Sequence, residues 1–241
     1  MQHVIFKDLG VIDYKTAWDY QEKLLQENVA VKAALRNDPA NADQNSTKNY
    51  FILCEHNPVY TLGKSGNMNN VLMSEAELSE NNIEFFRTNR GGDITFHGPG
   101  QIVGYPILDL EKFYTDIGKY LRNLEEVVIL TLAEYGIAAE RSPGETGVWL
   151  EPGVKGRERK ISAIGVRCSR WITMHGFALN VNTDLSHFNN IIPCGISHKQ
   201  VTSLEKELGS YQDYEAVKEK VKNNFEKVFA AELLTPDSAL L

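Results

Sequence analysis

Three clusters hold the residue types that chemistry needs. The stretch Arg90-Gly-Gly-Asp-Ile-Thr-Phe-His-Gly-Pro-Gly-Gln101 packs four glycines, a proline, an arginine and a histidine into twelve positions between two apolar runs. Glycines let backbone N–H groups approach a ligand closely, with Arg90 and His97 as further donors, so one reading is a substrate cradle. The other is an elaborate turn with a solvated arginine. Cys194 stands between Pro193 and Gly195 after an apolar segment, a turn setting that can expose a sulfur as a nucleophile. Cys54, continuing the apolar run Tyr50-Phe51-Ile52-Leu53, and Cys168, after a strand pattern, read as small structural residues.

A thiol of ordinary pKa ~8.5 needs a partner that favours thiolate. Lys160 opens the apolar strand Ile161-Ser-Ala-Ile-Gly165, which would hold its charge at a strand mouth; it also ends the basic run from Lys155, where it would trail in water. His97 and His175 lie in Gly-flanked segments and read equally as site residues or hydrogen-bonded structural ones. Several chemistries lack their motif. Gly98, Gly100 and Gly104 miss the dinucleotide spacing by one residue, and Gly63-Lys64-Ser65 would need glycine where Pro58 stands. Neither a close histidine pair for a metal nor a G-x-S-x-G elbow occurs.

The elements that must position these groups are legible from periodicity. Strands are expected over Val4–Leu9, Tyr50–Glu55, Pro58–Leu62 (the last two around a turn), Ile102–Leu108, Thr146–Leu150, Lys160–Arg167 and Trp171–Leu179, with Glu84–Thr88 leading into the glycines at 91 and 92. Helices are expected after Asp13, at a Ser74/Glu77 capping box, from Asp116 to a stop at Gly136, and over Tyr211–Phe229. The polar stretch Asp38–Lys48 reads as a surface loop. Separated helices among hairpins point to a mixed α/β (α+β) single domain over residues 1–241, without regular βαβ winding. A net charge of −7 argues against a non-specific grip on nucleic acid or anionic membrane. Three scattered cysteines and no leader or long apolar run lead us to expect reduced thiols and a cytoplasmic location.

Four motifs in order, Arg90–Gln101, Lys160-Ile-Ser-Ala-Ile-Gly-Val-Arg167, His175-Gly-Phe-Ala-Leu-Asn180 and Ile192-Pro-Cys-Gly-Ile196, closely resemble the lipoyl(octanoyl) transferase family, also called lipoate-protein ligase B. The resemblance covers nearly the whole chain. It implies the fold of biotin and lipoate protein ligase catalytic domains. It implies transfer of octanoyl from acyl carrier protein to a lysine of lipoyl domains, in oxo-acid dehydrogenase subunits and the glycine-cleavage H protein, with no cofactor and no metal. By the same resemblance Cys194 carries the acyl thioester and Lys160 lowers its pKa. The substrate would be lined by Arg90, Gly91, Gly92, Asp93, Ile94, Thr95, Phe96 and His97, by Ala163, Ile164 and Gly165, and by Gly176, Phe177 and Ala178. Phe96 stands where many relatives have tyrosine, so a hydroxyl there is not required. Two rivals remain: an ATP-dependent lipoate- or biotin-type ligase, and a non-catalytic module that binds acyl carrier protein. For an acidic carrier the expected docking charge is Lys155, Arg157 and Arg159, with Arg167 and Arg170; a solvated hairpin tip is the alternative.

Overall fold

The computed structural model describes residues 1–37, 46–192 and 200–235. In chain order the elements are β1 (Gln2–Val11), α1 (Tyr14–Asn37), β2 (Tyr50–Glu55), β3 (Val59–Leu62), α2 (Glu75–Glu80), β4 (Glu84–Arg87), β5 (Ile94–His97), β6 (Gln101–Ile107), α3 (Ile117–Ala133), β7 (Glu140–Arg141), β8 (Val148–Leu150), β9 (Arg159–Ser169), β10 (Ile172–Asn180), β11 (Gln200–Val201), α4 (Leu204–Leu208), α5 (Tyr214–Phe229) and β12 (Ala231–Leu234). One large mixed sheet runs in the order β12-β1-β2-β6-β10-β9-β8-β7, with β11 parallel to β9, and a smaller one runs β4-β3-β5.

Local chemistry sets the helix ends. Asp13 accepts from the Thr16 N–H at 2.8 Å and Asp116 from that of Lys119 at 2.9 Å, while Ser74 and Glu77 form both bonds of the capping box. Gly136 turns the chain out of α3 at φ +73°. The apolar run of β2 is buried on both faces: Phe51 and Leu53 join the core under α3 and α5, and Tyr50, Ile52 and Cys54 join the one under α1. Phe51 stacks on Phe225 of α5 with centroids 4.0 Å apart. Burying each such side chain contributes roughly 1.5–3 kcal/mol.

Three expectations change. The runs at 50–55 and 58–62 are not a hairpin, since β2 pairs with β1 and β6 while β3 pairs with β4 and β5. The last helix starts at Tyr214, capped by Asp213, because Gly209 ends a separate α4 at φ +73°. Residues 38–45 lie outside the described residues; at the loop's end Ser46 and Lys48 are exposed, but Thr47 between them turns inward, donating to Asp109 at 2.7 Å beside the Lys32–Asp109 ion pair at 2.6 Å. No described helix is long and apolar enough to cross a membrane.

Candidate active site

A cavity of about 700 Å³ lies where the turn after Arg90 and strand β5 meet β6, β10 and β9. Glycines allow that approach. Gly176 faces Gly165 across β10 and β9, and a Cβ on Gly176 would sit 2.1 Å from the Gly104 carbonyl oxygen. A Cβ on Gly165 would sit 2.7 Å from the Gly91 carbonyl oxygen, so glycine there lets the turn dock, and the Gly91 N–H donates to Val166 at 2.8 Å. The Phe177 ring lies across Gly104 and supplies an apolar wall.

Arg90 to Thr95, His97, Ala163 to Gly165, Gly176 to Ala178 and Lys160 all line this cavity. Phe96 is the exception. Strand alternation turns its ring into the core of the small sheet, where it stacks on His187 at 4.4 Å and packs on Tyr60 and Phe188. Arg90 is buried, and its guanidinium donates to the Thr61 carbonyl (2.6 Å), the Asp93 carbonyl (2.8 Å), the Gly91 carbonyl (2.9 Å) and the Thr61 hydroxyl (3.0 Å). It therefore shapes the cradle from within rather than standing in water. Tyr14, Ile117, Leu121, Ser162, Asn180 and Val201 also line the cavity. The i, i+4 pair Ile117/Leu121 reads from sequence only as a core stripe of α3.

Lys160 owes its direction to a β-bulge. Val148 pairs with Ser162 and Trp149 with Lys160, which leaves Ile161 as an extra residue buried in the core while Lys160 lines the cavity. Its ammonium sits 4.5 Å from the centroid of the Trp149 ring, a cation–π contact. Gly147 makes room for the lysine stem: its φ is +121°, and a Cβ there would meet the Ser162 carbonyl oxygen at 2.6 Å and Lys160 Cε at 3.4 Å. This is the half-buried strand-mouth position, not a lysine trailing in water.

The imidazoles nearby are held neutral. Burial pushes His97 and His175 down to about 3, with Arg90 opposing the charge of each, and burial also lowers His56. Each has a bonded nitrogen: His97 Nδ1 to Gln101 at 2.8 Å, His175 Nε2 to Asn89 at 2.7 Å and His56 Nδ1 to the Ile12 carbonyl at 2.8 Å. His175 also takes a left-handed φ of +57°. Cys54 is buried 3.5 Å from His56 Nε2, and burial drives its thiol far above the ordinary value; burial raises the half-buried Cys168 thiol too. Cys194 lies outside the described residues. Its described flanks are Ile192, whose N–H donates to Asn70 at 2.8 Å, and β11, in which Val201 pairs with Lys160.

The basic hairpin tip is largely ion-paired. Arg159 makes ion pairs with both Glu207 and Glu151, and Arg157 pairs with Glu151 at 2.7 Å. Two of the cations expected there, Arg157 and Arg159, are thus held by Glu151 and Glu207 of the same chain. Arg167 is likewise paired, with Glu22 at 2.6 Å.

Residues 13–226 match the profile of the lipoyl protein ligase A/B catalytic domain. The chain is 58% identical to an octanoyltransferase of Christiangramia forsetii over 96% of this chain and 98% of the relative. It is equally identical to an octanoyltransferase of Flavobacterium psychrophilum over 92% and 95%. Among solved structures, Ta0514, described as a putative lipoate protein ligase from T. acidophilum, superposes with a TM-score of 0.68 at 13% identity over 97% of this chain and 88% of that one. A lipoate-protein ligase A bound with ATP gives 0.67 at 13% identity over 98% and 88%. At that identity the likeness is one of fold.

Proposed function

The chain belongs to the lipoyl protein ligase A/B catalytic-domain family, and we propose that it moves an octanoyl group from acyl carrier protein, through a thioester on Cys194, to the lysine of lipoyl domains. Octanoyl transfer is the activity named for its relatives, so the chain is an acyltransferase. The observation that carries the finer reading is Lys160: it is the only lysine among the described residues lining the cavity, held there by the bulge beside β11.

In this mechanism the Cys194 thiolate attacks the carrier's thioester carbonyl, the carrier's thiolate leaves, and the octanoyl group rests on sulfur. A cationic Lys160 favours the thiolate. The departing carrier thiolate takes a proton from Lys160, leaving a neutral amine; the acceptor amine then attacks the new thioester, its proton passes to that amine, and the Cys194 sulfur leaves as thiolate, which restores the cationic Lys160. Thioester exchange is near balance and the amide is downhill, so no ATP enters. Neutral His97 and His175 are poor bases, which favours the lysine as proton carrier. Phe177 and Ile164 line the cavity and suit an acyl tail, at about 0.8 kcal/mol per buried methylene. Leu179, by contrast, lies in the core under α3 and α5.

The test is mass spectrometry after incubation with octanoyl carrier protein. A hydroxylamine-sensitive octanoyl adduct should form, persist in Cys54→Ser and Cys168→Ser, and vanish in Cys194→Ser. Lys160→Met should raise the pH at which iodoacetamide alkylates Cys194. Persistence of the adduct in Cys194→Ser would refute the mechanism, and pyrophosphate release with octanoate and ATP would favour a ligase instead.

A further inference from the structure

Five buried side chains that the mechanism does not use as reactants form one hydrogen-bonded file across the molecule. Arg90 Nη2 donates to the Thr61 hydroxyl at 3.0 Å, which lies 3.4 Å from His97 Nε2. His97 Nδ1 lies 2.8 Å from Gln101 Oε1, Gln101 Nε2 donates to Asn180 Oδ1 at 2.8 Å, and Asn180 Nδ2 donates to the Thr202 carbonyl at 3.0 Å. The direction is set by Gln101. Its Nε2 also donates to the Phe96 carbonyl at 3.2 Å, so Oε1 faces His97 and Nδ1 must carry the proton. His97 Nε2 is then the acceptor for the Thr61 hydroxyl, and every donor points from the Arg90 cation toward Thr202. Such one-way chains polarise along their length. The neutrality of His97 is essential, because an imidazolium would donate at both ends and break the file at Thr61.

The far end of the file matters for the site. β11 has two residues, and its ladder to β9 relies on Gln200 N–H donating to the Glu158 carbonyl at 3.2 Å and Thr202 N–H to that of Lys160 at 2.9 Å. So short a strand has little register of its own. Asn180 holds Thr202 from the opposite side. Arg90 reaches the other flank too, through the Asp93 carbonyl at 2.8 Å and the Asn70–Asp93 side-chain bond at 2.6 Å, with Asn70 accepting from Ile192.

We propose that Asn180 is a positioning residue which, by donating to the Thr202 carbonyl at the end of this relay, fixes β11 in register against Lys160. The proposal rests on the transferase reading for its kinetic consequence. Asn180→Asp keeps the acceptor for Gln101 but turns the donor toward Thr202 into an acceptor, and Asn180→Ser is too short to span both partners. In either variant, amide hydrogen exchange should quicken in the peptide covering 200–203, and the alkylation profile of Cys194 should move to higher pH. With octanoyl carrier protein, kcat should fall on the order of 10-fold to 100-fold while KM changes by about twofold or less, the pattern of a sub-ångström to ångström misplacement.

Asn224→Ala is the matched control, removing a buried asparagine of α5 that donates to Glu134 at 2.7 Å and to the Lys220 carbonyl at 3.0 Å; it should lower Tm without moving any of these readouts. Wild-type exchange at 200–203 and an unshifted alkylation profile in both Asn180 variants would overturn the proposal. If the wild-type chain forms no octanoyl adduct, the transferase reading fails, while exchange and alkylation still judge the relay.

Discussion

Mild acid should destabilise this protein before any carboxylate network fails, because neutral imidazoles are built into it. His97 and His175 have folded pKa values near 3 against an ordinary 6.5. Below pH 6.5 the unfolded chain binds protons that the native state refuses, so stability rises with pH and is lost as pH falls. At pH 5 each such histidine costs RT ln(1 + 10^1.5), about 2 kcal/mol, and the two together about 4 kcal/mol relative to pH 7.5. The lowered carboxylates Asp13, Glu77, Glu134, Asp184 and Glu207 act in the same direction only below their ordinary values, 3.8 for Asp and 4.5 for Glu, which leaves the window between pH 7.5 and 5 to other groups. In that window His56, lowered by burial, adds to the loss, and Glu125, raised by burial, subtracts from it. His175→Gln isolates one imidazole. Urea unfolding at pH 7.5, 6.5 and 5.0 should give a wild-type loss of several kcal/mol, a midpoint shift of about 1 M or more at a slope near 3 kcal/mol/M. The variant's loss should be smaller by about 2 kcal/mol, whatever its stability at pH 7.5. Equal losses in wild type and variant would refute the reasoning, as would a wild-type midpoint that does not move.

Two further outcomes follow from the site's packing. Gly147→Ala, forced to φ +121° with its methyl 2.6 Å from the Ser162 carbonyl oxygen, should cost about 1–3 kcal/mol and slow transfer, whereas Gly144→Ala, at φ +78° with nothing within 4 Å, should bear only backbone strain; melting curves and octanoyl transfer rates separate them. Arg159→Ser should act on stability and not on steering, since Glu207 and Glu151 lose their shared cation: Tm should fall, and rates with octanoyl carrier protein and with a small octanoyl thioester should change by the same factor. A loss confined to the protein donor would restore the docking role.

The local rules in the chain were enough for most elements and for part of the cavity lining. Caps at Asp13, Ser74 and Asp116, and the glycine after α3, depend on side-chain to backbone bonds within three or four residues, so they are readable without tertiary context. Three of the four motifs, those at Arg90–Gln101, Lys160–Arg167 and His175–Asn180, contribute residues that gather around one cavity, whereas Cys194 lies outside the described residues. Strand partners were not legible: β2 and β3 are adjacent in sequence yet belong to different sheets, because pairing depends on which edges remain open after collapse. The short β7, β11, α4 and the terminal β12 carry too few residues for a period and exist through their neighbours. Only tertiary structure turned Phe96 away, set Arg90 to binding its own turn, paired Arg159 of the hairpin with Glu207 and aimed Lys160 with a bulge. Each of these depends on groups distant along the chain: Thr61 for Arg90, Glu207 for Arg159, and Trp149 with Gly147 for Lys160. Residue types and their order specify what a site contains, whereas direction, protonation and charge balance depend on contacts that only the folded chain makes.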